Sequence, residues 1–473
     1  MMSAPRLLFL FSLVAAACPA AADERLPGGA ATSRKPANTN AFSHPSANMP
    51  LERQLDFRVG DGIFRKLWAS SPSSTVSSDG LGPLFNARSC QSCHVKDGRG
   101  RPPMAKDEAA VSLFLRLSIP AQTDVDHALL ADLKRTVTPE PTYGVQLQPF
   151  SVQGLLAEGR MEIGYTDMPV QFADGETMTL RKPNYRVADL NYGPLHPQVM
   201  ISPRVTPPMI GLGLLEMIPE ADILKHADPE DIDGDGIAGK ANSVWSRVEG
   251  RAMLGRFGWK AGMPTIADQT AEAFANDIGL STPLVPQTSH GDCTPAQQAC
   301  IAMPVGDDPT EHVEVPKKMF DLTVFYAQHL AVPERRNADA PAVKRGQALF
   351  ASAGCGGCHT PSHVTGSDPA KPELSGQTIF PYTDLLLHDM GEGLADNRPE
   401  GLANGRQWRT PPLWGIGLTR VVGGHDFLLH DGRARGVLEA ILWHDGEAAT
   451  AKNRVLQMNR AERGDLLAFI NSL

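Results

Sequence analysis

The sequence predicts a mainly α protein made of two like domains by internal duplication, with long loops and insertions in its N-terminal half. Three observations carry that expectation. A Cys-x-x-Cys-His pentapeptide occurs twice, as Cys90-Gln91-Ser92-Cys93-His94 and as Cys355-Gly356-Gly357-Cys358-His359. A Gly-x-x-x-Phe element precedes each one, with Gly60 and Phe64 in the first half and Gly346 and Phe350 in the second. A Thr-Pro-Pro string follows each, running from Arg204 to Leu214 and from Arg409 to Leu418, so the order of features is the same in both halves.

The pentapeptide is the attachment pattern of a covalent c-type haem, in which two thiols join the porphyrin and the adjacent His ligates iron. A zinc ribbon would need thiols and imidazoles to converge in one tetrahedron, and a thioredoxin-like pair does not call for His in the fifth place. Two c-type haems are therefore expected, held by Cys90, Cys93, Cys355 and Cys358, with His94 and His359 as proximal ligands. Each domain is then cytochrome c-like.

Taken in chain order, Arg6 followed by the apolar run Leu7 to Ala17 and by Ala20-Ala21-Ala22 has the layout of a secretory signal peptide over 1–22. Cys18 is an alternative lipidation point. Residues 23 to about 50, rich in Ala, Ser, Asn and Pro, read as a flexible lead-in. The N-terminal haem domain is expected over 23–335 and the C-terminal cytochrome domain over 336–473. In the latter, helical periodicity is legible at Val343 to Phe350, at Val437, Leu438, Ile441 and Leu442, and at Leu466, Leu467, Ile470 and Leu473.

No stretch approaches the length of a transmembrane span, so a periplasmic protein is expected. A formal charge of −9 argues against nucleic acid as a partner. Of seven cysteines, four serve the haems and Cys18 leaves with the leader. Cys293 and Cys300 remain, and in an oxidising compartment they should form a local disulfide. Asp231-x-Asp233-Gly234-Asp235-Gly236 offers oxygen ligands at alternate positions around a turn that glycine permits. With the Ile237 carbonyl and Asn242 it is a candidate calcium loop.

The stretches FPYTDLLLHDMG, GRQWRTPPLWGIGLT and FLLHDGRARGVLEAILWHDGEA, together with DIDGDGIAGKAN and FGWKAGMPTIADQTAEAF, resemble the bacterial di-haem cytochrome c peroxidase and MauG superfamily. The likeness is greatest to the branch called di-haem oxidoreductases or thiol oxidoreductases, and it runs from about residue 55 to the C-terminus. It implies that the first haem meets hydrogen peroxide and that the second takes electrons from a small periplasmic carrier, a cytochrome c or a cupredoxin. A tryptophan then lies between the haems, and Trp259, Gln269 and Asp277 match the family's Trp, Gln and acid, with Asp277 in place of Glu and two residues nearer the Gln.

Cleaving peroxide at a haem needs a proton carried from one oxygen to the other, which a carboxylate such as Asp277 serves as base and then acid. For the second haem the family's sixth-ligand position holds Gln407, a poor ligand, so the nearby Met390 and His388 are the candidates, with Met390 preferred. His425, His430 and His444 are expected to bond propionates or loops. Met104 is a possible blocker of the first haem. Two other functions fit the pattern: MauG-like oxidation of a protein or thiol substrate, and a non-enzymatic electron-transfer or iron-handling cytochrome.

Overall fold

The computed structural model describes residues 23–105, 108–286 and 291–473. The expected leader and Cys18 lie outside the described residues.

One helix crossing occurs twice. In the first half, helix Leu51–Arg65 crosses helix Lys317–His329, and a Cβ added to Gly60 would lie 2.3 Å from the Leu322 carbonyl oxygen. Phe64, one turn further on, puts its ring 5.2 Å from Tyr326 and 6.0 Å from His94. In the second half, helix Pro341–Ala353 crosses helix Arg460–Ser472, and a Cβ on Gly346 would lie 1.9 Å from the Asp465 carbonyl oxygen. Phe350 stands 5.2 Å from Phe469 and 6.3 Å from His359.

The Thr-Pro-Pro strings repeat the same logic. Gly213 faces the Gln328 carbonyl and Gly417 the Asn471 carbonyl, where a Cβ would come within 2.2 and 2.0 Å. Each string thereby docks on the last helix of its own half. Gly211 also meets the Trp414 ring while Gly415 meets Ile210, so the two strings face each other reciprocally. Replacing Gly346 by Val is expected to cost about 3 kcal/mol in a denaturant melt, because the helix backbones already touch there. An unchanged midpoint would mean that the crossing contributes little.

Helices dominate, as expected, and among the described residues twelve strands add only six two-stranded ribbons. The longest hairpin pairs Arg160–Gln171 with Thr177–Ala188. Its Asp174-Gly175 turn is a hairpin signal in the sequence. The tip reaches the second half, where Ala173 N–H donates to the Leu456 carbonyl at 2.9 Å and Arg463 pairs with Asp174 and Glu176.

Residues 23–50 are a packed strap and not a flexible lead-in. Glu24 pairs with Arg335 at 2.6 Å, the Ala30 N–H donates to Gln377, and Phe42 is buried against Ile210 and Trp414. A few buried apolar anchors suffice to order a segment whose average composition is polar. Cys293 and Cys300 are joined as a disulfide. No helix among the described residues is long and apolar enough to cross a membrane.

Candidate functional site

Both pentapeptides open into one cavity of about 710 Å³ between the halves. The first motif forms a short helix, Cys90–Cys93, whose Ser89 cap accepts from the Ser92 N–H at 3.2 Å. The second follows Gly354, whose φ of 85° ends helix Pro341–Ala353 and turns the chain into the motif. The His94 ring faces the Pro207 carbonyl through Nδ1 at 3.0 Å, and the His359 ring faces the Tyr382 carbonyl at 2.9 Å. A carbonyl at Nδ1 fixes the proton there and leaves Nε2 as the basic nitrogen. Burial pushes both imidazoles down to about 4, the neutral form that ligates metal.

Among the described residues four cysteines are free, all of them in the motifs, and all line the cavity. Burial pushes the Cys90 thiol up to about 12 and the Cys355 thiol to about 11. Arg99, Arg256 and Arg409 also line the cavity, and their hydrogen bonds go to backbone carbonyls at Leu429, at Leu215 and Ile218, and at Gly258 and Thr410. None of the three has an ion pair among the described residues. Guanidiniums facing a cavity without carboxylate partners fit a ligand that brings its own acids, as haem propionates do.

Trp259 stands between the halves. Its indole N–H donates to the Val205 carbonyl of the first Thr-Pro-Pro string at 2.8 Å, and its own carbonyl accepts from the Arg409 N–H of the second at 2.9 Å. The Arg99 guanidinium lies 5.0 Å from its ring. Behind it, the buried Lys260 ammonium pairs with Asp396 at 2.7 Å and donates to the Arg398 and Asn404 carbonyls.

Gln269 and Asp277 line the same cavity. Eight residues of regular α-helix overshoot two turns by about 80°, but helix Ile266–Ala273 continues into a π turn, Phe274–Ile278, whose wider winding takes back much of that rotation. Asp277 therefore returns to the face of Gln269 despite the shorter spacing. Its carboxylate accepts from Gln146 at 2.8 Å, and its carbonyl holds the Asn86 and Ala87 N–H groups. Burial raises its pKa, and its charge in turn raises the thiols of Cys90 and Cys93, which places it beside the first motif.

Met390 reaches the cavity, packed with Leu394, Trp408 and Trp443. His388 also reaches it, but both ring nitrogens are engaged, Nε2 with Asp384 at 2.8 Å and Nδ1 with Glu447 at 2.7 Å. Burial opposes its charge, yet the two carboxylates hold it well above the usual imidazole range. This corrects His388 as an iron ligand, because a ring gripped at both nitrogens has none to offer. Gln407 accepts from the Asn404 N–H at 3.0 Å instead of ligating. Met104 is 69% exposed, away from the cavity, and blocks nothing.

The acidic loop departs from its expected membership. Oxygens of Asp228, Asp231 and Asp233 lie within 4.8 Å of one another. Asp235 accepts from the Ile237 N–H at 2.8 Å and lines the central cavity, and the Ile237 side chain presses on Gly357 of the second motif. Asn242 is corrected as a calcium ligand. Its amide donates to the Lys260 and Glu400 carbonyls and its oxygen accepts from the Leu402 N–H, so it pins a buried turn. Sequence reasoning missed Asp228, which lies outside the alternating spacing, and Gln146 and Arg99, which no local pattern marks.

A family model described as "Di-haem oxidoreductase, putative peroxidase" matches residues 22–473. No curated protein matches. Among solved structures, one titled "Kuenenia stuttgartiensis Hydrazine Synthase Pressurized with 20 bar Xenon" is similar over 33% of this chain, at 21% identity and a TM-score of 0.22. That likeness covers 55% of the synthase chain.

Proposed function

We propose that this chain, which belongs to the di-haem oxidoreductase family, is a periplasmic c-type cytochrome that passes electrons from a small redox protein through a haem at His359 to hydrogen peroxide at a haem at His94. The carrying observation is a single cavity that receives both attachment motifs, with Trp259 bonded to both halves between them. On this reading the repeated helix crossings are two haem domains derived by duplication.

Two haems, when bound, supply the electron storage and the site of peroxide reduction. Cys90 and Cys93 hold one and Cys355 and Cys358 the other, while Arg99, Arg256 and Arg409 would neutralise propionates. Asp277 takes a proton from peroxide and returns it to the leaving oxygen, with Gln146 fixing the carboxylate. Gln269 orients the same substrate. Trp259 couples the two sites electronically. Peroxide added to the oxidised and half-reduced protein should change the Soret spectrum on the stopped-flow timescale. A protein inert in both states is an electron carrier and not a peroxidase.

Calcium, held by Asp228, Asp231 and Asp233, orders the loop that delivers Ile237 to the second motif. Three carboxylates this close repel one another unless a cation stands among them. Chelation is expected to remove about 2.7 kcal/mol of stability relative to calcium at a hundredfold excess over its Kd. Asp233→Ala should abolish that difference in a thermal melt, and equal melts for wild type with and without chelator would reduce the cluster to a surface turn.

A further inference from the structure

Besides His94 and His359, three histidines line the cavity: His388, His430 and His444. His388 is gripped at both nitrogens by Asp384 and Glu447. His430 stacks on Trp408 at 3.8 Å and belongs with the first-half strand, where its Nδ1 lies 3.1 Å from the Pro203 carbonyl. His444 shares with His430 a ring whose Nδ1 faces a backbone carbonyl, but it sits at the end of a second-half helix. Its Nδ1 lies 2.7 Å from the Ala440 carbonyl, one helical turn back, which repeats the arrangement that leaves Nε2 basic in the two motif histidines.

The surroundings of His444 belong to the second motif. Helix Val437–Trp443, which ends at His444, sends Val437 and Ile441 into the cluster that also contains Phe350, Ala353, Cys355 and Val455. His444 and His359 both line the cavity. Burial keeps His444 itself neutral, the form in which an imidazole ligates. The same helix also sends Ala440, Leu442 and Trp443 into the cluster that holds Met390, Trp259 and Trp408, so it spans both walls of the second-motif side.

We infer that His444 is the sixth ligand of the haem at His359, so that the C-terminal iron is held by two imidazoles. This rests on the proposed function, which puts a haem there, and it replaces Met390 as the expected ligand. The consequence concerns the electron donor. A thioether opposite His raises a haem's potential, so a site with two imidazoles lies lower and accepts electrons from a carrier of correspondingly low potential. High-potential His–Met cytochromes would be poor donors.

Near-infrared magnetic circular dichroism and EPR of the ferric holoprotein decide the matter without an activity assay. The low-spin component of wild type should carry the bis-imidazole signature. His444→Met should shift it to the imidazole–thioether signature and raise the potential of that haem. His444→Ala should convert it to high spin, and added imidazole should restore it, while Met390→Leu should leave the wild-type spectrum unchanged.

A thioether signature in wild type, a low-spin His444→Ala, or loss of the low-spin component in Met390→Leu each overturns the inference. If His444→Ala does not accumulate, the wild-type spectrum and Met390→Leu still decide it. A haem count below two per chain would instead overturn the underlying reading, which separates the two failures.

Discussion

Protein recovered from an oxidising compartment is expected to give a pyridine haemochrome stoichiometry of two per chain, and Cys93→Ala or Cys358→Ala should lower it to one. The effect should be large because attachment through these thiols would be covalent and local: each thiol stands in the motif whose His presents a basic nitrogen to the cavity. The loss should also be felt as instability. The cavity proposed to hold the haems is about 710 Å³, walled largely by apolar side chains, with Arg99, Arg256 and Arg409 making no ion pair among the described residues. Leaving half of it without its macrocycle exposes apolar wall and unpaired charge together, each worth several kcal/mol. Acidified organic solvent should extract no haem from wild type. Free extraction would mean non-covalent binding and would sink the c-type assignment.

The parts legible in the sequence are those whose determinants are local. A Cys-x-x-Cys-His motif needs no distant partner to declare itself, and Gly60 and Gly346 mark helix crossings because only glycine lets two backbones touch. Residues whose role is set by distant partners stayed hidden. Nothing near Asn242 announces that its amide is committed to Lys260, Glu400 and Leu402, and nothing near His388 announces Glu447 at its Nδ1. The long hairpin and the 23–50 strap are fixed by contacts with the other half of the chain, such as Asp174 with Arg463 and Ala30 with Gln377. Periodicity reads a single segment and is blind to such pairings.

The Asp277 spacing shows the same limit from the other side. Counted as regular helix, the acid falls short of the family arrangement, yet the π turn at Phe274–Ile278 restores it to the cavity wall beside Gln269. A π turn has no reliable sequence signal and often accompanies function.

Asp277→Asn is expected to slow the reaction with peroxide by about 10²–10⁴-fold, the usual worth of a positioned general base. Haem content and fold should survive, because the contacts that Asp277 makes to Asn86 and Ala87 run through its carbonyl, which the substitution keeps. Burial raises the Asp277 pKa above the ordinary value of 3.8, and the Gln146 amide, by donating to the carboxylate, draws it part of the way back. The base form is the active one, so the rate should fall as pH drops through that raised pKa. Gln146→Leu removes the donor that favours the charged form and should move the acid limb to higher pH, whereas Asp277→Asn should abolish the limb. Trp259→Phe should leave the first encounter with peroxide intact and slow the transfer of the second electron, since the indole and its bond to Val205 are lost while the backbone link to Arg409 remains. Stopped-flow spectra of the half-reduced proteins across pH separate these outcomes. A wild-type rate in Asp277→Asn would remove the carboxylate from the mechanism, and an unaltered second phase in Trp259→Phe would route the electron elsewhere.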